Sequence, residues 1–163
     1  MVIVYESKTG FTKKYAEMLA DKTGMHLYPA NEITKLDRTE ELLFLGWMKV
    51  GKIQGLQKVK KHKIAVVCGC GTGRSAEPDV ETILARNKLV STPFFYLRGG
   101  CLPLSDIQGV DRFALSMFVR MLKSRNDGDE KTAESIEIIE KGFDGVDEEN
   151  LSPLLDWLRS KDI

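Results

Sequence analysis

The chain has 163 residues, 42% of them hydrophobic, and a formal net charge of zero. That is length enough for one compact domain, 1–163, with a buried core, and the balance of charge gives neither nucleic acid nor an anionic membrane surface a general foothold. No apolar run approaches the length of an integral membrane segment, and three cysteines, an odd and sparse set, suit a reduced cytoplasmic setting better than a disulfide scaffold.

The opening stretch Val2-Ile3-Val4-Tyr5 is too short for a signal peptide's core and is followed by Glu6 and Lys8. It reads as a strand that runs into Ser7-Lys8-Thr9-Gly10-Phe11-Thr12, and a helix-forming stretch, Lys13 to Asp21, follows at once. A helix start offers unpaired N–H groups and the positive end of its dipole, so an anion is favoured there. Ser7, Thr9 and Thr12 add hydroxyls, and Gly10 lets the backbone close on a phosphate. One hydroxyl would serve as an N-cap; three make a phosphate cradle. The turn is neither G-x-x-x-x-G-K-[ST] nor a three-glycine dinucleotide fingerprint.

Further along, Met25–Tyr28 reads as a weak second strand and Glu41–Leu45 as a third, closed by Gly46. Gly46-Trp47-Met48-Lys49-Val50-Gly51-Lys52-Ile53 then reads as a loop, in which an aromatic face and a polarisable sulfur suit a flat ring as well as they suit a sheet edge. The basic run Lys58 to Lys63 reads as a solvated approach to the next strand. That strand, Lys63–Cys68, is an unbroken apolar run suited to burial on both faces. The loop after it, Gly69-Cys70-Gly71-Thr72-Gly73-Arg74-Ser75, holds one fixed cation, Arg74, for which the plain structural alternative is an ion pair with Glu77 or Asp79 on the following helix.

Pro78 to Asn87 is a predicted helix and Pro93–Leu97 a fifth strand. Gly109 to Lys123 follows as a long amphipathic helix with Phe113, Met117, Met121 and Leu122 as its inward stripe, then a polar turn from Ser124 to Glu130. A helix over Lys131–Lys141 ends at Gly142 in a C-cap position. The tail from Asp147 to Ser160 carries Leu151, Leu154, Leu155 and Leu158 at helical spacing, with Pro153 suited to a helix start. Strands alternating with helices predict a parallel α/β sheet whose ligand sits at the carboxyl edge. The two histidines and three cysteines have no metal-ligand spacing.

The hydroxyl-rich turn resembles the FMN-phosphate loop of the flavodoxin family, T/S-x-T-G-x-T after the first strand. The resemblance spans most of residues 1–123 and is closest to the branch that includes menaquinone-dependent protoporphyrinogen dehydrogenase. That branch has G-x-S-I-R-Y-G-K after strand three, where this chain is one residue shorter and lacks the serine. It has G-G-R-L-x-Y…x-D-R after strand five, where Gly99-Gly100-Cys101-Leu102-Pro103-Leu104 and Asp111-Arg112 stand here.

The resemblance implies a three-layer sandwich around a five-stranded parallel sheet of order 2-1-3-4-5, with helices on both faces. It implies FMN as cofactor, held by Ser7, Lys8, Thr9, Gly10, Phe11 and Thr12 at its phosphate. Trp47, Met48 and Lys49 would lie along the ring, and Gly69, Cys70, Gly71, Thr72, Gly73 and Arg74 at its pyrimidine edge. Arg74 there would stabilise the charge of the reduced cofactor and raise its potential. The partner would be a redox protein or a small electron acceptor such as a quinone, with no nucleic acid, and a homodimer is left open.

One loop supports a rival from another class. Cys68, Gly71, Arg74 and Ser75 match C-x-x-G-x-x-R-S, the phosphate loop of cysteine-dependent phosphatases, with Asp37 upstream as a candidate general acid. Val67 stands where that family has a histidine, and the rival leaves the opening cradle without a role.

Overall fold

The computed structural model describes residues 1–89, 91–125 and 128–161. It is an α/β structure of two compact units, Met1–Gly99 with Val146–Ile163, and Gly100–Gly145.

The first unit is built on a sheet. Strands β1 (Val2–Glu6), β2 (Leu27–Pro29), β3 (Glu41–Lys49), β5 (Lys63–Gly71) and β6 (Phe94–Arg98) run parallel in the order β2-β1-β3-β5-β6, and β4 (Lys52–Ile53) pairs antiparallel with the end of β3. The chain leaves β1 for β2 on one side and returns to β3 on the other. The order therefore reverses between β1 and β3, which is where open α/β sheets leave a crevice at their carboxyl ends.

Register explains why the central strands read as apolar runs. Val2 and Val4 share a row with Leu42, Phe44 and Val67, while Ile3 lies with Leu43 and Val66, so both faces are covered. The first row packs with Leu56 and Val59 of α2 (Leu56–Val59) and Ile83 of α3 (Val80–Asn87). The opposite face takes α1 (Phe11–Thr23), whose Tyr15, Ala16 and Leu19 are fully buried, and α6 (Ser152–Arg159), whose Trp157 meets Phe95 at 6.2 Å between ring centroids. Burial of each large apolar side chain contributes roughly 1.5–3 kcal/mol.

Tyr15 ties this face together. Its hydroxyl donates to the Arg98 carbonyl at 2.5 Å and accepts from the Asn150 amide at 2.6 Å and the Asp147 N–H at 3.2 Å. The tail is thereby anchored on α1, and α6 begins at Ser152-Pro153 as the sequence predicts.

The second unit holds β7 (Gly100–Cys101) paired antiparallel with β8 (Phe143–Asp144), and helices α4 (Gly109–Arg125) and α5 (Glu130–Lys141) in contact with each other. Gly142 caps α5 with φ 68°, its N–H on the Ile138 carbonyl. The stripe expected to face inward on α4 does not: Phe113, Met117 and Met121 are exposed, and Val119 is the buried residue. The helix carries two apolar sectors, one through residues 113, 117 and 121 and one through 115, 119 and 122, and periodicity alone cannot choose between them. Of the turn expected at 124–130, residues 126 and 127 lie outside the described residues.

No helix among the described residues is long and apolar enough to cross a membrane.

Candidate functional site

The turn from β1 to α1 is set by two devices. The Ser7 hydroxyl oxygen accepts the Gly10 N–H at 3.1 Å, closing a small loop over residues 7–10. Gly10 then takes φ 94°, a left-handed conformation that an L side chain resists, although space beyond its Cα is open. The Gly10 carbonyl accepts from Lys14 at 2.9 Å, so α1 proper starts at Phe11.

This helix start has no side-chain cap and no acidic residue in its first turn. The N–H groups at the start of an α-helix have no intrahelical partner, and the dipole concentrates positive charge there. Thr9 is exposed beside them, and Lys8 and Lys13 are close in sequence. Buried Thr12 does something else with its hydroxyl: it is hydrogen-bonded to the Cys70 thiol, joining α1 to the end of β5. Phe11 is buried too, so both residues offer an anion their backbone rather than their side chains.

The stretch after β3 is a hairpin where the sequence reading expects a loop. Trp47, Met48 and Lys49 are its outgoing strand, Val50 and Gly51 turn with φ 50° and 72°, and Met48 pairs with Ile53. Trp47 and Met48 point to opposite faces. Trp47 shares a row with Cys70 on the α1 face, and Lys8 Nζ lies 5.4 Å from its ring centroid. Met48 packs against the core of the other face, its sulfur 2.6 Å from where a Cβ on Gly69 would stand. Lys49 and Lys52 sit opposite each other and are exposed.

Strand β5 extends through Gly69, Cys70 and Gly71, three residues beyond the predicted end. The glycines are there for the protein's own packing: a Cβ on Gly69 would also strike Phe94 at 2.9 Å, and one on Gly71 would strike the Tyr96 ring. The Tyr96 hydroxyl donates to the Gly73 carbonyl at 2.8 Å and holds the loop that follows. Burial, with Cys70 and Glu77 adding, pushes that hydroxyl's pKa up to about 12. Thr72 and Arg74 are exposed on the same loop.

A cleft of about 410 Å³ opens beside the cradle on the β2 side, lined by Tyr5, Ser7, Gly10 and Lys13 and by Pro29 and Asn31; Glu6, paired with Lys58, lines it too. Sequence spacing gave no sign of it, because Pro29–Asn31 meet the cradle only through the pairing of β1 with β2.

Cys68 is fully buried and its thiol is held far above the ordinary range, first by burial and then by Cys70. The Cys70 thiol is pushed up to about 11 by burial. Among the described residues no cluster of three or more metal-ligating side chains is present. No protein-family model matches the chain, and no curated protein matches it at a significant level.

Proposed function

We propose that the chain is a flavodoxin-like redox protein that binds FMN, with the phosphate on residues 7–12 and the ring at the ends of β3 and β5. The observation that carries this reading is the uncapped start of α1 standing at the reversal of strand order, with Trp47 and Lys8 together on its β3 side. The donor set fits a phosphate: backbone N–H groups at the helix start, the exposed Thr9 hydroxyl, a left-handed Gly10 and no carboxylate in the helix's first turn. Trp47 fits a flat ring, whereas Met48, packed into the opposite core, does not line the same face.

Bound there, the flavin supplies one- and two-electron chemistry. The chain's own residues bind and orient it, and Lys8, Lys49 and Arg74 place positive charge around its ring. A neutral protein with cations at the site suits a cytoplasmic reductase acting on a quinone or other small acceptor better than an acidic electron carrier.

The phosphatase alternative lacks an approach to its nucleophile. Cys68 has no exposed surface, burial disfavours its thiolate, and α3 begins only at Val80, so no helix start follows Arg74-Ser75 directly.

The test is Thr9→Val, titrated with FMN and with riboflavin, which has no phosphate. A lost hydrogen bond to a charged group costs about 1.5–3 kcal/mol, so FMN should bind roughly ten- to hundredfold more weakly while riboflavin is unaffected. Equal losses for the two ligands would place the phosphate elsewhere.

A further inference from the structure

Arg38 and the basic run that begins in α2 are far apart in sequence, yet they line one cleft. The 3₁₀ helix Ala30–Lys35 contacts α2, and beside that contact opens a cleft of about 450 Å³. Arg38, Lys58, Lys60, Lys61 and His62 line it, and no carboxylate does. In a chain of zero net charge this is a marked local excess of one sign.

Neighbouring acids are already engaged. Glu6 accepts from Lys58 at 2.7 Å and Glu32 from Lys35 at 2.7 Å; Asp37 Oδ1 takes the Thr39 N–H and hydroxyl at 2.8 and 2.7 Å and keeps its charge, which acts on His62. Lys58 is therefore partly neutralised. Arg38, Lys60 and Lys61 make no ion pair among the described residues. His62 lines the cleft as well, and its ring Nδ1 is buried with no hydrogen-bond partner among the described residues.

We propose that this cleft, which shares only Lys58 with the cleft beside the β1–α1 cradle, is a second anion site that takes a small organic polyphosphate of the nucleoside di- or triphosphate class. Its volume is that of a small-molecule pocket rather than an extended track for a polymer. Cations arrive from two chain segments, so they can grip successive phosphates from both sides. The half-buried Ile33 and Leu36, which pack on the core, supply an apolar wall for a base. Thr34 and Gln57 add neutral hydrogen-bonding groups.

The experiment is calorimetric titration of the full chain with ATP, pyrophosphate and adenosine at two salt concentrations. ATP should bind, pyrophosphate should bind more weakly, adenosine should not bind, and affinity should fall as salt rises. Lys60→Gln/Lys61→Gln, both exposed positions, should weaken ATP at least tenfold with an unchanged circular dichroism spectrum. Thr9→Val, at the cradle, should bind ATP like the parent. The proposal is overturned if neither ATP nor pyrophosphate binds, or if the double variant binds ATP as the parent does. It also fails if Thr9→Val abolishes binding, which would assign the anion to the cradle. A single-stranded oligonucleotide binding more tightly than ATP, in proportion to its length, would make the surface a nucleic-acid track and overturn it as well.

Discussion

Lys8 Nζ lies 5.4 Å from the centroid of the Trp47 ring, which links the turn after β1 to the end of β3 across the reversal of strand order. A cation over an indole face is worth about 0.5–1 kcal/mol at an exposed site, enough to bias the ring's orientation. Any planar ligand whose phosphate sits on residues 7–12 and whose ring extends toward β3 must come close to that indole. In a Trp157→Phe background Trp47 is the remaining tryptophan. Titration with FMN should then quench most of its emission, and riboflavin should do so only at much higher concentration. Emission that stays constant while FMN binds would put the ring on the β2 side, over Pro29 and Asn31.

The buried thiols make the fold sensitive to alkali. Burial raises the Cys70 thiol from an ordinary value of 9.0 to about 11, the Thr12 hydrogen bond offsetting part of that rise. A raised pKa means that the folded state keeps its proton while the unfolded chain loses it. The contribution is therefore fully present below pH 9 and is lost as pH rises from 9 to about 11, by at most about 2–3 kcal/mol. Cys68, shifted in the same direction, adds to the fall. Urea unfolding at pH 8, 10 and 11 should give a shallower decline for Cys70→Ala than for the parent. Parallel declines would mean that the Cys70 thiol is not held neutral by the fold.

The strands that read most clearly were those buried on both faces. Val2–Val4, Leu42–Leu45 and Val66–Val67 are unbroken apolar runs because each row has its own helical layer. Gly142 and Pro153 marked their helix ends because their backbone constraints act locally. What stayed hidden depends on partners distant in sequence. Gly69 and Gly71 looked like the start of a loop, yet they continue β5 because Met48, Phe94 and Tyr96 occupy the space of a Cβ. Thr12 looked like a phosphate ligand through its hydroxyl, which Cys70 takes instead. The run from Lys58 to Lys63 looked like plain solvated surface until the turn after the 3₁₀ helix brought Arg38 to the same cleft.

Val50 heads the hairpin turn with φ 50° and is 80% exposed. With Gly51 at 72°, both central residues are left-handed, the geometry of a primed two-residue turn whose preferred sequence is Asn-Gly. A β-branched residue in that region is strained, by roughly 1–2 kcal/mol, and here burial returns nothing for it. The turn is held from outside: Arg86 donates to the Val50 carbonyl at 2.9 Å and the Asn87 amide to that of Gly51 at 2.8 Å, while Asn87 Oδ1 accepts the Ile53 N–H at 2.9 Å. Strain over-determined by its surroundings is a feature of functional sites, and this turn presents Lys49 and Lys52 at the carboxyl end of β3. Val50→Asn should therefore stabilise the protein by about 1 kcal/mol, without adding the chain entropy that glycine would. Urea melts of parent and variant decide the matter: a neutral or destabilised Val50→Asn would mean that the turn is not strained at this residue.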